Sequence, residues 1–131
     1  MRKILYAEDD PDDFNILQEA LIQADASLKI IRADNGKEAL SYLTSISDPE
    51  ELPCLIILDI NMPKIDGRQA IRLIKSEQHL QHIPIVAFTT STNPMDKLLC
   101  KKLMVDCFTK PSNITEIEAM ASRILSYCVS Y

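Results

Sequence analysis

The sequence predicts an α/β protein, a doubly wound five-stranded parallel sheet with five helices distributed over both faces. Three observations carry that prediction. Short apolar runs alternate strictly with helical patterns along the whole chain, and such alternation demands crossover connections between parallel strands. Two of the runs, Cys54–Leu58 and Pro84–Phe88, are apolar without a break, as strands covered on both faces are. The chain has 131 residues, 47% hydrophobic and 25% charged, which suits one domain with one real core. No internal repeat, low-complexity stretch or linker interrupts it, so residues 1–131 are expected to form a single domain.

Each element has its own signal. Ile4–Ala7 is an apolar run that ends in acids, the first strand. Asp12–Ala24 carries Ile16, Leu17, Ala20, Leu21 and Ala24 along one helix face. Leu28–Ala33 is the second strand, closed by the turn signal Asp34-Asn35-Gly36. Lys37–Ser45 reads as a short helix with Ala39, Leu40 and Leu43 inward, followed by a loop from Ser47 to Pro53. Cys54–Leu58 is the third strand, and Gly67–Ser76 a helix buried through Ala70, Ile71 and Ile74. Pro84–Phe88 is the fourth strand. Pro94–Met104 is a helix, with Pro94 tolerated in its first turn. Cys107–Thr109 is the last strand. Ile114, Ile117, Ala121, Ile124, Leu125 and Cys128 mark a final amphipathic helix, with Ser112 or Asn113 as its cap.

Composition removes several function classes. The two glycines, Gly36 and Gly67, are too far apart for a dinucleotide-binding or phosphate-binding glycine loop. The longest apolar run, Cys54–Leu58, is far short of the ~20 residues a membrane span needs. A net charge of -5 argues against direct nucleic-acid binding. The four cysteines, Cys54, Cys100, Cys107 and Cys128, include no CxxC pair, so free thiols in a reducing cytoplasm are expected. The N-terminus turns acidic at Glu8, too early for a signal peptide.

A doubly wound sheet binds ligands at the carboxyl ends of its strands. Those ends are polar here. Glu8, Asp9 and Asp10 follow the first strand, Asp59 the third, Thr89, Thr90 and Ser91 the fourth, and Lys110 the fifth. Clustered carboxylates repel unless a cation intervenes, and an all-oxygen set suits Mg2+. Glu8, Asp9 and Asp59 would supply the oxygens. A cation beside a lysine neutralises a transferring phosphoryl group, the Thr89 hydroxyl can donate to it, and a carboxylate can be the nucleophile. Asp59 is the best candidate nucleophile, since it follows the most apolar strand. Asp10, Asp12 and Asp13 read as acids complementing the dipole of the next helix. Asp66 reads as a turn residue, His79 and His82 as exposed helix-end histidines. Asp96, Lys97, Lys101 and Lys102 read as a solvated helix face.

These residues resemble the receiver domain of the bacterial two-component response regulators. The resemblance rests on Ile4-Leu5-Tyr6-Ala7-Glu8-Asp9-Asp10-Pro11, on Leu55-Ile56-Ile57-Leu58-Asp59-Ile60-Asn61-Met62-Pro63-Lys64-Ile65-Asp66-Gly67, on Ile83-Pro84-Ile85-Val86-Ala87-Phe88-Thr89-Thr90-Ser91 and on Thr109-Lys110-Pro111, in that order over essentially the whole chain. The loop around Pro49 and the run Thr89-Thr90-Ser91-Thr92 are similar to phytochrome-associated single-domain response regulators. The resemblance implies a flavodoxin-like fold with strand order 2-1-3-4-5. It implies Asp59 as phosphoacceptor, Mg2+ held by Glu8, Asp9 and Asp59 with the Asn61 carbonyl, Thr89 as switch hydroxyl and Lys110 as its pairing lysine. Pro63 and Gly67 would shape the loop beyond Asp59. A sensor histidine kinase or phosphotransfer protein would be the donor and a downstream protein the reader, with a homodimer through the fourth and fifth helices plausible. Such a protein is a cytoplasmic switch and not an enzyme acting on an outside substrate.

Two positions depart from the family. Its usual aromatic three residues before the lysine is Cys107 here, with Phe108 one residue later, so either Phe108 takes the role or the aromatic switch is absent. Met104-Val105-Asp106 stands where the family usually has a small pair such as Gly-Ala. A receiver-fold interaction module that does not signal through phosphate is therefore the alternative. A haloacid-dehalogenase-like phosphatase is disfavoured because Asp59-Ile60-Asn61 lacks the second aspartate, and a flavodoxin-like cofactor binder because no hydroxyl-rich loop follows the first strand.

Overall fold

A computed structural model describes residues 2–60, 67–89, 94–111 and 113–128. Its strands are β1 (Lys3–Ala7), β2 (Lys29–Ala33), β3 (Leu55–Asp59), β4 (Ile85–Thr89) and β5 (Asp106–Thr109). Its α-helices are α1 (Pro11–Ala24), α2 (Gly36–Thr44), α3 (Gly67–Ser76), α4 (Pro94–Lys102) and α5 (Ile114–Leu125). All strand pairs are parallel, in the order β2-β1-β3-β4-β5. The expected architecture and strand order are therefore the observed ones.

The two strands expected to be covered on both faces are fully buried along their length. Alternate side chains of the sheet feed two cores. One gathers Leu5, Ile56, Leu58 and Ala87 with Ala39 and Leu43 of α2, Ala70, Ile71 and Ile74 of α3, and Cys100 of α4. The other gathers Ile4, Tyr6, Ile57 and Phe88 with Phe14, Leu17 and Leu21 of α1 and Ala121 and Ile124 of α5. At roughly 1.5–3 kcal/mol for each fully buried large aliphatic or aromatic side chain, these layers are the main stabilising term.

Caps set the helix limits. Asp10 caps α1 by accepting from the Asp12 and Asp13 amides, and Asn35 caps α2 by accepting from Glu38. Of the two candidate caps for α5, Asn113 accepts from the Glu116 amide, and Ser112 lies outside the described residues. Helix α4 ends at Lys102, two residues before the expected end, because Met104 adopts a left-handed backbone with φ 60°. The Val105 amide then donates to the Cys100 carbonyl and the Met104 amide to Lys101, a Schellman ending. That conformation favours glycine, and the Met104 side chain is 82% exposed, so little packing offsets the strain. Met104→Gly is expected to raise stability by about 1 kcal/mol, read as a higher urea midpoint with an unchanged slope. A lower midpoint would contradict this account of the turn.

The cysteines depart from expectation. Cys54 and Cys128 form a disulfide with a Cα–Cα distance of 4.9 Å, while Cys100 and Cys107 are free. Cys54 directly precedes β3 and Cys128 follows α5, so both lie at the amino-terminal edge of the sheet. Their sequence separation of 74 residues carries no local spacing signal, which is why four free thiols were expected.

The strand-five ambiguity is resolved by alternation. Cys107 packs on the α2–α3–α4 side of the sheet, and its thiol interacts with that of Cys100. Phe108 points to the opposite side, where its ring meets Phe88, Tyr127 and the Arg123 guanidinium. Successive strand residues face opposite ways, so Phe108 cannot take the place of Cys107 without a register slip.

Candidate phosphoryl and metal site

The register brings the predicted residues to one edge. Ala7 pairs with Leu58, so Glu8 and Asp59 are neighbours just beyond that pair, and Asp59 in turn pairs with Phe88. Thr89 pairs with Thr109, and the Lys110 amide continues the ladder to the Thr89 carbonyl at 2.9 Å. Glu8, Asp59 and Thr89 are buried, whereas Asp9 is exposed.

Lys110 is the centre of the site. Its ammonium donates to Glu8 Oε1 at 2.6 Å, Asp13 Oδ2 at 2.9 Å and Asp59 Oδ2 at 3.0 Å. Glu8 also accepts from the Tyr6 hydroxyl at 3.3 Å and from the Asp10 amide at 3.4 Å. Glu8, Asp9 and Asp59 each offer a carboxylate oxygen within 4.8 Å of the others. A hard cation with a preference for carboxylate oxygen fits that donor set. Thr89 Oγ1 donates to Asp96 Oδ2 at 3.1 Å, and Arg68 stands 3.8 Å from the same carboxylate. The predicted Asn61 ligand lies outside the described residues, as do Pro63, Asp66 and Ser91.

The electrostatics follow from burial. Glu8 has its pKa pushed up to about 7, first by burial and further by the Asp59 carboxylate, against the opposing pull of Lys110. Burial works against the Lys110 ammonium, but hydrogen bonds to Glu8, Asp13 and Asp59 outweigh it and hold the lysine charged. Tyr6 is held neutral by burial and by the adjacent Glu8. A cation bound at Glu8 must displace the proton held there. Divalent-cation affinity is therefore expected to rise as pH increases through about 7, with proton release on binding. Calorimetric titration in buffers of different ionisation enthalpy checks this, and a pH-independent affinity between pH 6 and pH 8 would contradict it.

Gly67 supports Asp59 from behind. A Cβ at Gly67 would lie 2.5 Å from the Asp59 carbonyl oxygen and 2.7 Å from the Ile60 Cα, both backbone atoms that cannot turn aside. Gly67→Ala is expected to cost about 2 kcal/mol and to shift the amide resonances of Asp59 and Ile60. Unchanged stability and resonances would contradict this close approach.

Two residues of the site were not singled out in the sequence. Asp13 reads in the sequence as a helix-dipole acid, yet it accepts from Lys110 in the first turn of α1. Asp96 reads in the sequence as part of a solvated face, yet it accepts from Thr89. Neither follows a strand, so the strand-end rule passed over both.

Comparison with known proteins shows the family. The family profile described as response regulator receiver domain matches residues 4–122. Response regulator Rcp1 of Synechocystis sp. is 35% identical over 127 residues, covering 95% of this chain and 86% of the relative. Among solved structures, the phosphorylated cyanobacterial phytochrome response regulator RcpA superposes with a TM-score of 0.83 at 32% identity, covering 98% of this chain and 96% of that one. The Mn(2+)-bound form of Rcp1 gives a TM-score of 0.83 at 34% identity, covering 96% and 93%.

Proposed function

This chain belongs to the response regulator receiver domain family, and from that premise we propose that Asp59 is its phosphoacceptor and that Mg2+ is the cation it uses. Receiver domains are phosphorylation switches that bind a divalent metal and take their signal from histidine kinases or phosphotransfer proteins. The observation that carries the assignment to Asp59 is its place: a buried carboxylate 3.0 Å from the Lys110 ammonium and within 4.8 Å of Glu8 and Asp9. Rcp1 has been solved with Mn(2+) bound, and RcpA in a phosphorylated form, which supports both parts of the reading.

Glu8, Asp9 and Asp59 would hold the cation, which when bound supplies positive charge to offset the phosphoryl oxygens. An Asp59 carboxylate oxygen forms the new P–O bond as the P–N bond of a donor phosphohistidine breaks. Lys110 donates to a phosphoryl oxygen, and its charge balances what develops there. The Thr89 hydroxyl exchanges Asp96 for the phosphoryl group, which loosens the tie between β4 and α4 and changes the surface a downstream protein reads. With Cys107 in place of an aromatic on that side, the change passes through Thr89 and α4 rather than through a rotating ring. Residues 1–131 are taken as the single receiver unit. Among the described residues no helix is long and apolar enough to cross a membrane, and a cytoplasmic site of action belongs to this same reading. So does homodimerisation through α4 and α5.

The test is intact mass after incubation with Mg2+ and acetyl phosphate. One phosphoryl group is expected, absent in Asp59→Asn and in the presence of chelator. An adduct that persists in Asp59→Asn would overturn the assignment.

A further inference from the structure

We propose, resting on the reading of Asp59 as phosphoacceptor, that Asp13 is a positioning residue that anchors the Lys110 ammonium and keeps one of its N–H bonds aimed at Asp59. A lysine ammonium has three donors, and here they meet Glu8, Asp13 and Asp59. Glu8 and Asp59 belong to the oxygen set that fits a cation, and Asp59 also receives the phosphoryl group; Asp13 belongs to neither role. It is the one of the three carboxylates that can hold the lysine unchanged before and after transfer.

The backbone that carries Asp13 is well fixed. Its amide donates to the Asp10 cap, and the next residue, Phe14, is buried and stacked on Tyr6 with centroids 5.1 Å apart. Lys110 sits on a flexible four-carbon stem, so an anchor on the rigid first turn of α1 restricts where its ammonium can go. A helix-dipole role alone would not distinguish Asp13 from Asp12, its exposed neighbour in the same turn. The geometry does distinguish them.

The experiment uses the full chain and compares wild type, Asp13→Asn and Asp13→Glu, with Asp13→Asn also placed in a Lys110→Ala background. Acyl-phosphate formation from Mg2+ and acetyl phosphate is followed by intact mass. Asp13→Asn is expected to slow phosphorylation about tenfold, as loss of an orienting contact does, with Asp13→Glu recovering most of the rate. In the Lys110→Ala background Asp13→Asn should change nothing further, because the two residues act as one unit. An unchanged rate, no recovery in Asp13→Glu or an additive loss in the Lys110→Ala background would each overturn the proposal alone. A wild-type protein that takes no phosphoryl group overturns the premise, and the proposal with it.

Discussion

Lys110→Ala is expected to cost the metal-free protein about 3 kcal/mol of stability at pH 8 and clearly less at pH 5. The lysine is 17% exposed and pairs with two carboxylates that are nearly inaccessible, Glu8 at 1% and Asp59 at 5%. Removing one partner of a buried pair leaves uncompensated charge, a loss of roughly 3–5 kcal/mol. The lower end applies because Asp13 is 40% exposed and can turn to water. The pH dependence follows from Glu8. Its folded pKa, about 7, lies above its unfolded value, so the folded state holds the extra proton between the two and gains stability as pH falls. Without Lys110 that folded pKa moves higher still, and more of the stability is lost as pH rises to 8. Urea unfolding of both proteins at the two pH values decides this, and an equal cost at both would show that Glu8 does not govern the balance.

Reduction of the Cys54–Cys128 disulfide is expected to lower stability by about 4 kcal/mol. The bond closes a loop with a sequence separation of 74 residues, and the chain-entropy model gives about that value for a loop of this length. The structural consequence falls on α5. Its end carries Tyr127, whose ring packs edge-on against Phe108 and whose hydroxyl donates to Asp106. Cutting the tie should therefore loosen the β5–α5 corner before the rest of the fold. Urea unfolding with and without reductant measures the total, and hydrogen exchange locates it. A loss under 1 kcal/mol, or exchange that rises evenly over the chain, would contradict this account.

Much of this is legible in the sequence itself. The unbroken runs at Cys54–Leu58 and Pro84–Phe88 announce strands buried on both faces, and parallel pairing then brings Glu8, Asp59 and Lys110 together. A cap at Ser112 or Asn113 is legible because such a residue before an amphipathic run has a direct local use, and the structure shows Asn113 in that role. What was hidden is tertiary. Asp13 is one acid among several near the start of a helix, and only the approach of β5 selects it for Lys110. Asp96 is selected by Thr89 in the same way. The Cys54–Cys128 bond depends on where α5 ends in space, and the left-handed turn at Met104 on the sharp return from α4 into β5. Local patterning carries no information on either.

The central claim is that Asp59 itself accepts the phosphoryl group. The most direct measurement is to phosphorylate the protein with Mg2+ and acetyl phosphate, reduce it with borohydride and sequence the peptides. Borohydride converts an aspartyl phosphate to homoserine, which marks the acceptor covalently. Homoserine at position 59 alone is the predicted result. Homoserine at position 9, or an unmarked Asp59 in protein whose mass shows the phosphoryl group, would contradict the account.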